Sequence, residues 1–264
     1  MKHIATTNPP SAAPGHEFIE PLWAAFGAEG IAALAFWTGA LFSGEIRSRR
    51  AIYPVLHVSG TVACGKTTLI ESMWKLLGRS DYEGFDPFQS TKVALASRIE
   101  EAGGLPIVLI PGMPSPNSFF SLEEISHCDR GGYRSSAIVI SAREVPGVVR
   151  AKAVRIELDP TTFTPKSRHA AMALKRLPSL EDGEFISYVR GVEGLLEQVL
   201  ASAKAIEKVI SAARCRGVRY RVDRYRATTH GLILAWVKHL RQVVPVTEEM
   251  INGAEDVLVR SLIH

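Results

Sequence analysis

The sequence predicts an α/β protein in which a mainly parallel sheet is flanked by helices. Short apolar runs, each as long as a buried strand, alternate with longer segments of helical periodicity. We place the strands at 52–58, 105–110, 137–141 and 154–158. An uninterrupted apolar run such as 105–110 is typical of a strand that is buried on both faces. Ligands bind such sheets at the carboxyl ends of the strands, so we expect the functional site of this protein at that edge of the sheet.

Length and composition are consistent with one α/β core and attached helices. The chain has 264 residues, of which 46% are hydrophobic and 22% charged, so a sizeable core can form and wholesale disorder is excluded. The net charge of +4 permits an anionic partner without requiring one. Cys64, Cys128 and Cys215 are far apart in sequence, which favours neither a zinc site nor disulfides. Unpaired thiols indicate a cytoplasmic protein.

We divide the chain into four parts. These are a flexible tail at 1–16, a helical segment at 17–50, a nucleotide-binding core at 51–164 and a C-terminal helical subdomain at 165–264. Within the helical segment, the charged residues 45–50 indicate a polar break. In the C-terminal part, apolar stripes predict one long helix at 185–213 and two more at 228–243 and 247–263.

The segment 22–43 is long and apolar enough to raise the question of a membrane span. Ala and Gly dominate it, however, and Glu29 lies within it. A charged residue is costly in a bilayer, so we interpret the segment as a buried helix. A membrane-associated protein anchored by 22–43 remains an alternative.

The strongest functional signal is the segment 60–67, which reads GTVACGKT between an apolar run and a helical stripe. Gly60 and Gly65 allow the backbone to curl so that its N–H groups face inward, and the next helix adds its positive end. Lys66 would then reach the β- and γ-phosphates of ATP, and Thr67 would bind Mg²⁺. The nucleotide-binding residues that we assign are Gly60, Thr61, Val62, Ala63, Cys64, Gly65, Lys66, Thr67 and Thr68. Loop amides favour a thiolate, so we also expect Cys64 to be reactive.

Hydrolysis needs a carboxylate on a neighbouring strand, in addition to Lys66. We expect it after 105–110, but residues 111–113 read Pro-Gly-Met and offer no acid. Asp86 is the best catalytic substitute, because it follows a segment that we expect to be the second strand. The alternative for Asp86 is a turn-forming residue before Pro87. The sequence therefore predicts ATP binding with slow or undetectable hydrolysis.

Arginines crowd one short region near the C-terminal helices, with Tyr220 and Tyr225 among them. They are Arg214, Arg216, Arg219, Arg221, Arg224 and Arg226. This density suits a nucleic-acid backbone with tyrosines stacking on bases, or an arginine supplied to a nucleotide in cis or across a subunit interface. Ion pairs with acids of the preceding helix are the third alternative. Our candidates for a nucleotide sensor are Arg143, Arg155, Arg224 and Arg226.

The block 53–170 resembles the ATPase module of primase- and helicase-type proteins from plasmids and integrative elements, often found beside a Toprim primase domain. The resemblance rests on 53–56 (YPVL), 59–60 (SG), 65–71 (GKTTLIE), 74–79 (WKLLGR), 82–87 (YEGFDP), 105–110 (LPIVLI), 137–141 (AIVIS) and 154–156 (VRI). It implies a RecA-like or AAA-like fold that forms a homo-oligomeric ring and works with DNA or a primase or helicase partner. In that family the third strand ends in acids and the fourth in a polar sensor. Here these places hold 111–113 and Ala142-Arg143, so the Walker B element is degenerate.

The function that we expect is that of an ATP-binding ATPase-like protein in the DNA metabolism of mobile elements. Two further alternatives come from other classes. A P-loop kinase would use Asp86 as the base on a small hydroxyl substrate and would have an enclosed pocket beside the γ-phosphate. A binding-only pseudo-ATPase would use the nucleotide as a structural ligand or assembly switch.

Overall fold

The computed structural model describes residues 13–79, 84–112, 138–142, 145, 153–161, 164–212 and 222–263. In chain order, the elements are α1 (His16–Ala40), α2 (Ser43–Arg50), β1 (Val55–Gly60), α3 (Lys66–Leu76), α4 (Lys92–Glu101), β2 (Ile107–Leu109), β3 (Ile138–Ser141), β4 (Ala153–Leu158), α5 (Pro165–Arg176), α6 (Glu184–Gly191), α7 (Leu195–Ala212), α8 (Arg224–His239), a 3₁₀ turn (Leu240–Gln242) and α9 (Glu248–Ile263).

The strands form one parallel sheet in the order β2-β3-β1-β4. Beyond β2, Phe85 adds one parallel bridge: its N–H donates to Val108 O at 3.0 Å, and the Ile110 N–H donates to Phe85 O at 2.9 Å. The predicted α/β fold with a parallel sheet is therefore confirmed. All described strands point their carboxyl ends to one edge of the sheet.

Each face of the sheet has its own apolar cluster, because successive side chains of a strand point to opposite faces. Leu56 and Val58 of β1 belong to the main core, which also contains the apolar residues of α1 and α3. Val55 belongs to a smaller cluster with Leu95 and Ile99 of α4. Helix α3, which follows β1, thus lies on the face that is opposite to α4.

Helix α1 lies at the centre of the helical part of the protein. It packs against α3, α5, α8, α9 and β4, and Trp37 and Phe36 are fully buried. It bends at Gly27, where φ is 55° and ψ is −138°. By length and composition alone α1 could cross a membrane, but 61% of its most apolar window is buried inside the protein. Such burial is typical of a core helix.

Two local expectations were wrong. The single helix expected at 185–213 is interrupted between α6 and α7, because Val192 is extended and Gly194 has a φ of 68°. The polar break expected at 45–50 is helical and forms most of α2, which ends at Ala51 with a φ of 61°. Charged residues are compatible with a short helix that exposes one face, so polarity alone did not indicate a loop.

Candidate functional site

The segment between β1 and α3 has the backbone of an anion-binding loop. Gly60, Ala63 and Gly65 have φ values of 139°, 64° and 90°, so conformations of opposite hand alternate and the N–H groups can converge. A side chain at Gly60 would place Cβ 2.5 Å from Leu158 O and 2.6 Å from Cys64 Sγ. Only glycine fits at this position, which explains why the loop needs Gly60.

The ammonium of Lys66 lies across this loop. Its Nζ donates to Gly60 O at 2.8 Å and to Thr61 O at 2.7 Å. Thr67 is exposed in the first turn of α3, whereas Thr68 is largely buried and its carbonyl accepts from Ser72 Oγ. A movable cation, convergent amides and a helix N-terminus are the chemistry that binds an anion such as a phosphate.

Two neighbouring residues of the loop have opposite environments. Val62 is 93% exposed at the loop tip, whereas Cys64 is only 2% exposed and its thiol points toward Gly60. Lys66 Nζ is 3.5 Å from the sulfur. The expectation of an accessible, reactive thiol at Cys64 therefore conflicts with the structure, because the curl of the loop turns this side chain into the protein.

The strand order corrects the expected position of β2 relative to β1. We expected β2 to neighbour the phosphate-loop strand, but β3 lies between β1 and β2. The end of β2 is thus about 10 Å to the side of β1, given a strand spacing of about 4.8 Å. Pro111 and Gly112 follow β2 and have no acidic group, and Met113 lies outside the described residues.

Asp86 follows Phe85, which pairs with β2 on the side away from β3. Its carboxylate lies close to Gly112, beyond the end of β2. Its Oδ1 accepts the Phe88 N–H at 2.9 Å, so it does form the turn that the alternative interpretation expects. A Cβ on Gly112 would lie 2.5 Å from Asp86 Oδ2. The second oxygen therefore occupies the space where a side chain of residue 112 would begin. Both interpretations of Asp86 are compatible with this geometry.

Asp159 is a carboxylate that the sequence reasoning missed. It follows β4 directly, and the last residue of β4, Leu158, pairs with Gly60. The Thr161 backbone N–H, which donates to Asp159 Oδ1 at 2.8 Å, and then the Thr161 hydroxyl lower the pKa of this exposed carboxyl. The available signal was an acid immediately after an apolar run. The position of Asp159 after β4 places its ionised carboxylate beside the loop between β1 and α3. It lies on the side of β1 that is opposite to β3.

Arg155 does not have the setting of a nucleotide sensor. Its Nε donates to Ser59 Oγ at 3.1 Å, and it forms an ion pair with Glu157 at 2.9 Å. It pairs in register with His57, and strand alternation places it on the sheet face opposite to α3. Its contacts hold the sheet together, and they explain a charged residue in the middle of β4.

The other sensor candidates are dispersed. Arg226 donates to Ser261 O at 3.0 Å, where it satisfies a carbonyl at the end of α9. Arg224 is exposed at the start of α8, where Asp223 caps the helix by accepting the Arg226 N–H. Arg143 and the arginines at 214, 216, 219 and 221 lie outside the described residues.

A second feature is a groove of about 1150 Å³ between α2, α7 and the start of α8. Its lining residues are Ser48, Arg49, Arg50, Ala51, Ile52, Leu200, Lys204, Glu207, Lys208, Ser211, Ala212, Arg224, Tyr225 and Thr228. Five of these residues are cations and one is an acid. None of them belongs to the phosphate loop, so this groove, hereafter the basic groove, is a separate surface.

Comparison with known proteins gives the fold. No protein-family description and no curated protein matches this chain. A solved structure described as "SCCmec type IV Cch - active helicase" is similar to it, with a TM-score of 0.65 and 12% sequence identity. The similarity covers 98% of this chain and 52% of that one, so this chain spans about half the length of the helicase. At this identity the likeness shows a helicase-like fold, and it includes the helical part as well as the sheet.

Proposed function

We propose that this protein binds ATP with Mg²⁺ and serves as the nucleotide-binding module of a helicase-like system in the DNA metabolism of a mobile element. The observation that supports this most directly is the curled loop between β1 and α3, with Lys66 across it. The solved structure with a similar fold is described as a helicase of an SCCmec element, which supports the DNA-related role.

In this proposal, the loop amides and the N-terminus of α3 bind the phosphates. Lys66 moves from the carbonyls of Gly60 and Thr61 to the β- and γ-phosphates, exchanging neutral acceptors for charged ones. Thr67 is exposed in the first turn of α3, where its hydroxyl can bind the Mg²⁺ that accompanies the phosphates. Phosphate binding of this kind needs no catalytic acid.

Hydrolysis is slow in this proposal, because the residues that follow β2 supply no carboxylate. Positioning and activating the attacking water is typically worth a factor of about 10² to 10⁴. Asp86 is the substitute whose carboxylate lies nearest to the vacant side-chain position at Gly112. A DNA strand, a primase or helicase partner, or a second copy of this chain would supply what the module lacks.

Calorimetry with Mg-ATP on the purified chain tests the proposal. Lys66→Ala should weaken binding about 100-fold, since it removes the charged donor at the phosphates. Thr67→Ala should weaken binding only when Mg²⁺ is present. Lys238→Ala is the matched control, because it removes the same charge from a half-exposed ion pair that Lys238 of α8 forms with Glu255 of α9. An unchanged affinity in Lys66→Ala would exclude this loop as the site.

A binding-only pseudo-ATPase is the second candidate, and the absence of an acid at Pro111 and Gly112 favours it. In that case the nucleotide would stabilise the fold or an assembly without being consumed. The two candidates differ in turnover: single-turnover measurements with excess protein would show product only for the first. The enclosed pocket expected for a kinase has no counterpart in the basic groove or in the smaller depression lined by Phe85 and Arg98, since neither includes loop residues.

A further inference from the structure

We infer that the basic groove between α2, α7 and α8 binds a single-stranded nucleic acid, with phosphates on its cationic rim and bases against its apolar floor. The rim has Arg49, Lys204, Lys208 and Arg224. This site is separate from the phosphate loop, and the inference does not depend on ATP binding.

The one acid among the described lining residues of the groove, Glu207, is paired within the fold. One carboxylate oxygen of Glu207 forms an ion pair with Arg50, and the other accepts from Thr228 Oγ1 at 2.8 Å. Both side chains of the ion pair are mostly buried, with 15% and 20% of their surface exposed. These contacts join α2, α7 and α8 at the base of the groove. Glu207 is therefore a structural group, and its charge is not available to Lys204, Lys208 and Arg224.

Three of the rim cations are exposed and have no ion-pair partner among the described residues: Lys204, Lys208 and Arg224. Lys204 and Lys208 are one helical turn apart on α7, so they project from the same face. Arg49 reaches Glu197, which does not line the groove. A cluster of exposed cations that have no ion-pair partner among the described residues can bind successive phosphates of a phosphodiester backbone.

The floor of the groove favours a single strand over a duplex. Ile52, Leu200 and Tyr225 line it and are half-buried. A duplex presents phosphates and sugars on its outside, whereas a single strand has exposed base faces that pack on aromatic and apolar side chains. An anionic membrane surface would use the rim cations but leave this concave floor empty.

Fluorescence anisotropy of the whole 264-residue chain with a labelled oligothymidylate of about 16 nucleotides tests the inference. The triple variant Lys204→Ala, Lys208→Ala, Arg224→Ala should bind about 10- to 100-fold more weakly than wild type, because three phosphate contacts are lost. The slope of log affinity against log salt should become shallower by about 2. The measurement needs no nucleotide, so a failure of ATP binding does not affect it.

The matched control is Lys238→Ala, Arg241→Ala, Arg260→Ala, which removes the same charge from cations in exposed ion pairs outside the groove. It should bind DNA like wild type. An abasic strand of equal length and a duplex should both bind more weakly than oligothymidylate to the wild type. Equal losses in the two triple variants, unchanged binding in the groove variant, or tighter binding of the duplex would each overturn the inference. So would a groove variant that loses sedimentation with phosphatidylserine vesicles but retains DNA binding.

Discussion

The proposed phosphate loop and the end of β2 lie at the same edge of one sheet. Among the described residues of these two regions, the loop contains the groups that its proposed chemistry requires, whereas the end of β2 does not. The loop has its glycines, its lysine and its threonine within eight successive residues. Ile110, Pro111 and Gly112 follow β2 and have no acidic group, and Asp86 Oδ2 lies 2.5 Å from where a Cβ at Gly112 would be. Phosphate binding relies mainly on backbone amides, which a short segment can arrange by itself. Hydrolysis needs a side chain brought from another element, and that requirement is met here only indirectly.

The largest effect that would test the first half of this comparison is expected from Gly60→Ala. The new Cβ would meet Leu158 O at 2.5 Å, and φ of 139° is strained for any side chain. We expect a loss of at least about 2 kcal/mol in the free energy of unfolding, together with loss of ATP binding. Urea unfolding and calorimetry measure the two effects.

Gly44→Ala is the control for this variant. Gly44 lies in α2, and a Cβ there meets nothing within 4 Å, so alanine should stabilise the helix by up to about 1 kcal/mol. Wild-type stability and ATP affinity in Gly60→Ala would show that the loop does not need its observed backbone.

The missing acid at the end of β2, the second region in this comparison, is tested by measuring ATP turnover. Wild-type protein alone should hydrolyse ATP slowly or undetectably, as the missing acid after β2 implies, and any residual rate should fall about 100-fold in Asp86→Asn. Asp159→Asn is the matched variant: Asp159 lies beside the loop but on the other side of β1 from β3. Brisk turnover that survives Asp86→Asn would contradict our account of the acid, and a loss in Asp159→Asn alone would assign its role to Asp159.

A carboxylate introduced at residue 112 provides a second test of how ATP turnover depends on an acid near the end of β2. Gly112→Asp alone should not help, since its Cβ would overlap Asp86 Oδ2 and two carboxylates would repel each other. Combining Gly112→Asp with Asp86→Ala removes both problems and places a carboxylate three residues after the last residue of β2. We expect the double variant to hydrolyse ATP at least as fast as wild type, and faster than Gly112→Asp.

The sequence predicted the glycine turn between β1 and α3 and the strands well, because both are local patterns. The observed β1 begins at Val55 where we expected 52, and β4 spans 153–158 where we expected 154–158. Strand order was not predictable in this way, since nothing in the run 105–110 specifies that β3 would separate it from β1. The position of Asp86 was also only partly predictable. The proline that follows it indicates a turn, but the approach of its carboxylate to Gly112 depends on the pairing of Phe85 with β2.

The basic groove shows the same limit. We noticed the density of arginines near 214–226, but the described cations of the groove come from three helices that are distant in sequence. Lys204 and Lys208 had no distinctive signal, because exposed lysines on an amphipathic helix are common. The ion pairs of Arg49 with Glu197 and of Arg50 with Glu207, which join α2 to α7, bring Lys204 and Lys208 to the same groove as Arg49.

The smallest effect concerns Ala63, the loop residue that adopts φ of 64° without being glycine. A left-handed conformation costs an alanine roughly 1 kcal/mol or more, and glycine relieves that cost while making the unfolded chain more flexible. Because the two terms oppose each other, we expect Ala63→Gly to raise the free energy of unfolding by at most about 1 kcal/mol, with unchanged ATP affinity. Ala205→Gly, at an exposed position within α7, should instead lower it by about 1 kcal/mol. Urea unfolding of both variants measures the difference in sign. An equal loss in both would mean that Ala63 is not left-handed, and the loop would then lack the alternating backbone on which phosphate binding rests.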